Sequence, residues 1–173
     1  LASRTYAHLD LRQAAAEIVP ALARECSETV TFSTLRDDTV VDLLTELSPY
    51  SVRAVARVGR HLPLHCTSAG KVFLAHAPAE QVERVLAGPL ERFTAQTTTD
   101  PTALRREIAP ARRASYAITQ GEPEPDLRAV AVPVIGAGSA PLCALAVLGP
   151  ASRLPMARRQ SLVPTAADAA LRI

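Results

Sequence analysis

The chain has 173 residues, 48% of them hydrophobic and 21% charged, with a formal net charge of +2. That is enough chain for one domain with a real core, and so small a charge does not imply a surface built to hold nucleic acid or an anionic membrane. No apolar run approaches the ~20 residues of a membrane span, the opening LASRTYAHLD lacks the apolar core of a secretion signal, and a cytoplasmic location is expected.

From Leu11 to Cys26, the residues Leu11, Ala15, Ile18, Leu22 and Cys26 recur at helical spacing and give one apolar face. Pro20 falls inside that helix and predicts a kink or a lost hydrogen bond. Thr29 to Arg36 and Thr39 to Leu47 are β-prone stretches around Asp37-Asp38, which reads as a hairpin with a polar turn. Ser51 to Val58 alternates Val52, Ala54, Ala56 and Val58 against Arg53, Val55 and Arg57, predicting a third strand with one wet face. A loop over 59–68 precedes two short helices near Ala69–His76 and Ala79–Leu86, the second ended by Gly88-Pro89. Thr94 to Asp100 is polar and expected to be exposed. Asp100 is placed to cap a helix with Pro101 as its first residue, running to about Ala114. Strands follow at Ser115–Thr119, Leu127–Ile135 and Leu142–Leu148, the last two joined by a turn over Gly136–Ser139. A helix from about Pro155 to Arg172 completes the chain, with Pro164 as a point where it could split. Helix, three strands, helices, three strands and helix predict an α+β fold, an antiparallel sheet of about six strands with helices packed on it.

Motifs for catalysis or metal binding fail one after another. Cys26, Cys66 and Cys143 are odd in number and widely spaced, against a disulfide framework or a zinc site. His61 and His65 are four apart, but Pro63 between them argues against the helix that would align them on a metal, and no HExxH follows. His65-Cys66 could pair a base with a thiol, although sequence neighbours point apart and no third orienting group is evident. Ser68-Ala69-Gly70-Lys71 is not a phosphate loop, because GxxxxGK(S/T) needs glycine at 65 and a hydroxyl residue at 72, where His65 and Val72 stand. Gly121 to Asp126 gathers three carboxylates between two prolines and reads as a stiff, solvated loop without calcium-ligand spacing. No catalytic residue, metal or cofactor is assigned. What remains is Thr67-Ser68-Ala69-Gly70 entering a helix. Unpaired N–H groups and the helix dipole there suit an anion, and a simple capped helix explains the residues equally well.

The same segment carries a resemblance. Gly59 through Ala75, with Pro63-Leu64-His65, a small-residue turn and Gly70-Lys71-Val72-Phe73-Leu74-Ala75, resembles the IclR-family motif PLH…GKAxLA. Ser115-Tyr116-Ala117, Glu122 and Val130-Ala131-Val132-Pro133-Val134 are similar to the family's GYA…E…IAAPV segment. Leu145 to Arg153 resembles its LSVSGPxxR ending. The three occur in the family's order and the resemblance covers nearly the whole chain.

The resemblance implies a GAF-like domain over 1–173 that binds a small effector, often a carboxylic or aromatic acid, and assembles as dimers or tetramers. Residues 1–26 would form the helix that connects to an N-terminal winged helix-turn-helix, which this chain lacks, so DNA would be reached only through that other domain. The effector-binding positions carried over are Ser68, Ala69 and Gly70 at the turn, with Ala54, Thr119, Leu127, Ala129, Ala146 and Leu148. Such a lining, polar at one end only, predicts an apolar or aromatic body bearing one acid rather than glyoxylate or pyruvate. Lys71, the one lysine among 19 basic residues, is expected in a structural salt bridge or against a partner subunit, with neutralisation of an acid ligand as the alternative. Two other readings stand beside the sensor: a small hydrolase or isomerase using His65 and Cys66, and a purely structural dimerisation module.

Overall fold

The computed structural model describes residues 2–136 and 140–173. Three of the four positions of the Gly136–Ser139 turn, 137–139, lie outside the described residues. The elements are α1 (Ala2–Cys26), β1 (Thr29–Arg36), β2 (Thr39–Glu46), β3 (His61–Pro63), α2 (Ser68–His76), α3 (Ala79–Ala87), α4 (Pro101–Ile108), α5 (Ala111–Ala114), β4 (Ala117–Gln120), β5 (Leu127–Ile135), β6 (Pro141–Pro150) and α6 (Met156–Leu171). The strands form one sheet in the order β3-β2-β1-β6-β5-β4, antiparallel throughout, as the α+β expectation required.

Strand alternation sorts the sheet into two faces. Val30 and Phe32 of β1, Val130, Val132 and Val134 of β5, and Cys143, Leu145 and Val147 of β6 meet Ala15, Ile18, Val19, Leu22 and Cys26 of α1 and Ala166, Ala169 and Ala170 of α6. The opposite face is small where those strands cross it, at Ala131, Ala144 and Ala146, and α2 through α5 pack there through Val72, Phe73, Leu86, Leu104, Ile108 and Ala111. Alanines on the strands let α2 lie close to the sheet. Gly70 extends that close approach, because a Cβ there would run into the Leu64 backbone and sit 2.6 Å from Thr67 Oγ1.

Several local expectations are corrected. Residues 51–58 form no strand. They cross the sheet as an irregular strap, its backbone held by side chains, and three-residue β3 takes the place beside β2. Gly59, at φ +80°, turns the strap back toward β3 and donates its N–H to the Asp42 carbonyl at 2.8 Å. The helix starting at Pro101 stops at Ile108, and a separate turn of helix begins after Pro110, whose ring cannot continue the first. Pro164 does not split α6, and like Pro20 in α1 it lies inside the helix, since packing of both helices on the sheet outweighs one lost backbone bond each. Thr94 and Thr97 are buried rather than exposed, their hydroxyls bonded to the Gly121 and Glu122 carbonyls at 2.6 and 2.7 Å.

Candidate functional site

A cavity of about 70 Å³ lies between the sheet, the start of α2 and the strap, several times the ~10–15 Å³ that one water requires. Eight of the nine positions carried over from the resemblance line it: Ala54 from the strap, Ser68 and Ala69 from α2, Thr119 from β4, Leu127 and Ala129 from β5, Ala146 and Leu148 from β6. Register explains the convergence, because Ala129 pairs with Leu148 and with Thr119 across neighbouring strands. Gly70 does not line the cavity and acts through packing instead.

The turn into α2 is arranged for an anion. Thr67 caps the helix, its hydroxyl accepting the Gly70 N–H at 3.1 Å and donating to the Pro63 carbonyl at 2.8 Å. The Lys71 N–H bonds to the Thr67 carbonyl. The N–H groups of Ser68 and Ala69 have no partner among the described residues, and both residues stand in the cavity wall. They are the first two donors of a nine-residue helix, at the positive end of its dipole.

The expectation of polar groups at one end only is overturned. Thr31 and Ser33 of β1, Asp42 of β2, Arg60 and Glu124 also line the cavity. Ser33 and Asp42 are direct cross-strand partners, and the Ser33 hydroxyl donates to Asp42 Oδ1 at 2.7 Å. Asp42 is 2% exposed. Burial pushes its carboxyl up to about 6, against the opposing pull of Ser33 and of the Arg60 charge. Arg60 reaches Glu124 at 3.8 Å, both exposed. The signal was present in the sequence: Thr29, Thr31 and Ser33 alternate with Val30 and Phe32, so the first half of β1 is hydroxylic on one face.

The strap that roofs the cavity is held at three points. Thr29 Oγ1 donates to the Ala54 carbonyl at 2.8 Å, Arg153 Nη1 donates to the Val52 carbonyl at 2.8 Å, and Gly59 is tied to Asp42. Arg153 also grips the fully buried Glu28 with two hydrogen bonds, 2.7 and 2.8 Å, and lies 4.6 Å over the Tyr50 ring. From the same segment, Arg158 donates to the Cys26 carbonyl at the end of α1. Arg159, buried, donates to the Thr119 carbonyl at 2.6 Å and to Gln120. Residues 153–159 thus touch the cavity wall, its roof and the end of α1. Arg153 closes the LSVSGPxxR-like segment read from the sequence, whereas Arg158 and Arg159 did not stand out in an arginine-rich sequence.

Lys71 lies outside this cavity. Its ammonium is 2.6 Å from Glu122 and 2.7 Å from Glu107, beside a separate open groove. Glu122, read from sequence as part of a solvated loop, is buried, and burial pushes its carboxyl above the usual range although Lys71 pulls it back. The other chemistry-bearing residues are occupied structurally. His65 bonds through Nε2 to the Glu91 carbonyl at 2.9 Å, and His61 pairs with Thr39 at 2.9 Å. Cys66 is buried and its thiol pushed up to about 12 by burial, so no thiolate is available at neutral pH. Among the described residues no group of His, Cys, Asp or Glu is placed to hold a metal ion, and no helix is long and apolar enough to cross a membrane.

Residues 3–173 match the family described as bacterial transcriptional regulator IclR, C-terminal. The chain belongs to the IclR family. It is 31% identical over 174 residues to the HTH-type transcriptional regulator KdgR of Escherichia coli, covering 100% of this chain and 66% of that regulator. An IclR transcriptional regulator from Silicibacter sp. TM1040 superposes with a TM-score of 0.90 at 32% identity, over 99% of this chain and 68% of its own. An IclR homolog from Microbacterium hydrocarbonoxydans, solved as a complex with 4-hydroxybenzoate, does so with a TM-score of 0.86 at 32% identity, over 95% of this chain and 66% of its own. This IclR domain therefore spans between about half and two thirds of the curated relatives it matches most strongly.

Proposed function

We propose that this chain is the effector-sensing domain of an IclR-type transcription regulator, and that the cavity at the start of α2 holds a small organic acid. The observation that carries the reading is the pair of unpartnered N–H groups on Ser68 and Ala69 in the wall of a cavity otherwise floored by Ala129, Ala146, Leu127 and Leu148. The acid group accepts from those two donors and the apolar body lies on the alanine floor. The bound 4-hydroxybenzoate of the Microbacterium homolog supports an aromatic acid as a starting point. The protein is a regulator and not an enzyme: its relatives are regulators, and neither His65 nor Cys66 is arranged for catalysis.

Sensing needs only a difference in affinity between two arrangements of the protein, typically ~1–3 kcal/mol of coupling. The segment 153–159 offers a physical route, joining Thr119 and Val52 at the cavity to Cys26 and Glu28 at the end of α1. On this reading residues 1–26 lead toward a winged helix-turn-helix domain, DNA is contacted through that domain, and the regulator works as a dimer or tetramer in the cytoplasm.

Thermal unfolding in the presence of benzoate, hydroxybenzoates and aliphatic acids tests the proposal. A ligand at about 100 times its dissociation constant adds ~2.7 kcal/mol to stability and raises Tm saturably. Ser68→Arg, which fills the turn, should abolish that rise, and because Ser68 is buried the variant is compared with its own unliganded Tm. A flat response to every acid would refute the sensor reading and leave a dimerisation module.

A further inference from the structure

We propose that Asp42 is a specificity-determining residue whose carboxyl accepts a hydrogen bond from a hydroxyl on the effector, so that the cavity selects hydroxy acids over plain acids. The inference rests on the sensor reading above and names the class of ligand for the same cavity. Asp42 belongs to a different element from the acid-binding turn, and its Oδ1 is already engaged by Ser33 at 2.7 Å. Its Oδ2 accepts nothing among the described residues, and Arg60, the nearest cation by its electrostatic influence, is turned to Glu124. Asp42 is a buried residue in the cavity wall with one carboxyl oxygen free of partners among the described residues, so that oxygen is available to accept from a donor on the ligand.

The donor is a hydroxyl rather than an ammonium. An ammonium carries three N–H groups that each need an acceptor, and any such group in this cavity also faces the Arg60 guanidinium that lines it. Arg60 at the rim adds like-charge repulsion against a cation. A hydroxyl needs one acceptor, and Oδ2 supplies it. The buried Thr31 hydroxyl, on the same strand as Ser33, lines the cavity beside this pair and accommodates a second polar contact.

Calorimetric titration of the chain with matched acids tests this: benzoate, 3- and 4-hydroxybenzoate, 3- and 4-(aminomethyl)benzoate, butyrate and 4-hydroxybutyrate. The expected result is at least tenfold tighter binding of one hydroxy acid than of its unsubstituted parent, with the aminomethyl acids no better than benzoate. Asp42→Ala should erase that preference while changing affinity for the parent acid by less than about threefold, and Asp42→Asn, whose one oxygen is left to Ser33 and whose other atom is an NH2 donor, should lose most of it as well. Equal binding of parent and hydroxy acids by the wild-type protein overturns the inference and leaves the sensor reading intact, whatever the variants do. Tightest binding of an aminomethyl acid also overturns it, in favour of a cation subsite. Failure of every acid to bind overturns both.

Discussion

Replacing Lys71 by methionine removes the charge and keeps the volume, and so separates a structural lysine from a ligand-binding one. Lys71 and Glu122 retain 4% and 9% of their side-chain exposure, and the ammonium lies within 2.7 Å of both Glu122 and Glu107. Breaking a buried pair from one side leaves a charge without compensation and typically costs ~3–5 kcal/mol, a large part of the ~5–15 kcal/mol that stabilises a domain. At roughly 2–4 °C per kcal/mol for a chain of this size, Tm should fall by about 6–20 °C. Calorimetry and urea unfolding at pH 7.5 measure it. Two further arms check the cause. Lys71→Met combined with Glu122→Gln should recover most of the loss, giving a coupling energy well above 1 kcal/mol. Lowering the pH toward 4.5 should also shrink the defect, because burial already raises the proton affinity of Glu122 and a protonated Glu122 needs no counter-ion. Below the new Tm, acid effectors should bind Lys71→Met within about threefold of wild type, since Lys71 does not line the cavity. A stability loss under 1 kcal/mol, or affinity lost without stability, would refute this assignment.

Asp42 gives stability a pH dependence of definite sign. Its folded pKa is raised from 3.8 to about 6, so its contribution is fully present below pH 4 and is lost as pH rises through 6. The full difference is about 3 kcal/mol. Asp42→Asn should flatten the wild-type decline between pH 4 and 6 and be the more stable protein at pH 7.5; a variant with the wild-type slope in urea melts refutes it. Arg153→Ala should destabilise by about 3 kcal/mol, leaving fully buried Glu28 without its bidentate partner. It should also speed tryptic cleavage at Arg53 and Arg57, because the strap loses its tie at Val52. Unchanged cleavage would mean that Thr29 and Gly59 alone hold the roof.

Much of the fold is legible in the sequence because its signals are local. The Asp100-Pro101 start sets a capped helix, the Val-Ala-Val-Pro-Val run sets β5, and Gly88-Pro89 ends α3, each through backbone preferences that act within a few residues. The same holds for Thr67 to Gly70, whose small side chains and cap prescribe a helix start open to a ligand. Residues 51–58 show the limit. Their alternation suits a strand, but a strand needs an edge to pair with, and the partners that capture this segment are Thr29, Arg153 and Asp42, distant in sequence.

The polar half of the cavity was likewise decided by pairing. Asp42 in isolation is one carboxylate in a β-prone stretch, and only the register that sets it opposite Ser33 turns it inward. Glu122 looked solvated for the same reason, since its loop gives no sign of Lys71, fifty-one residues earlier in the chain. Local sequence thus determined which segments become helix or strand and where a helix N-terminus is left open. Tertiary structure decided which charges are buried and which side chains share the cavity, because burial and ion pairing depend on contacts between residues that the chain itself keeps far apart.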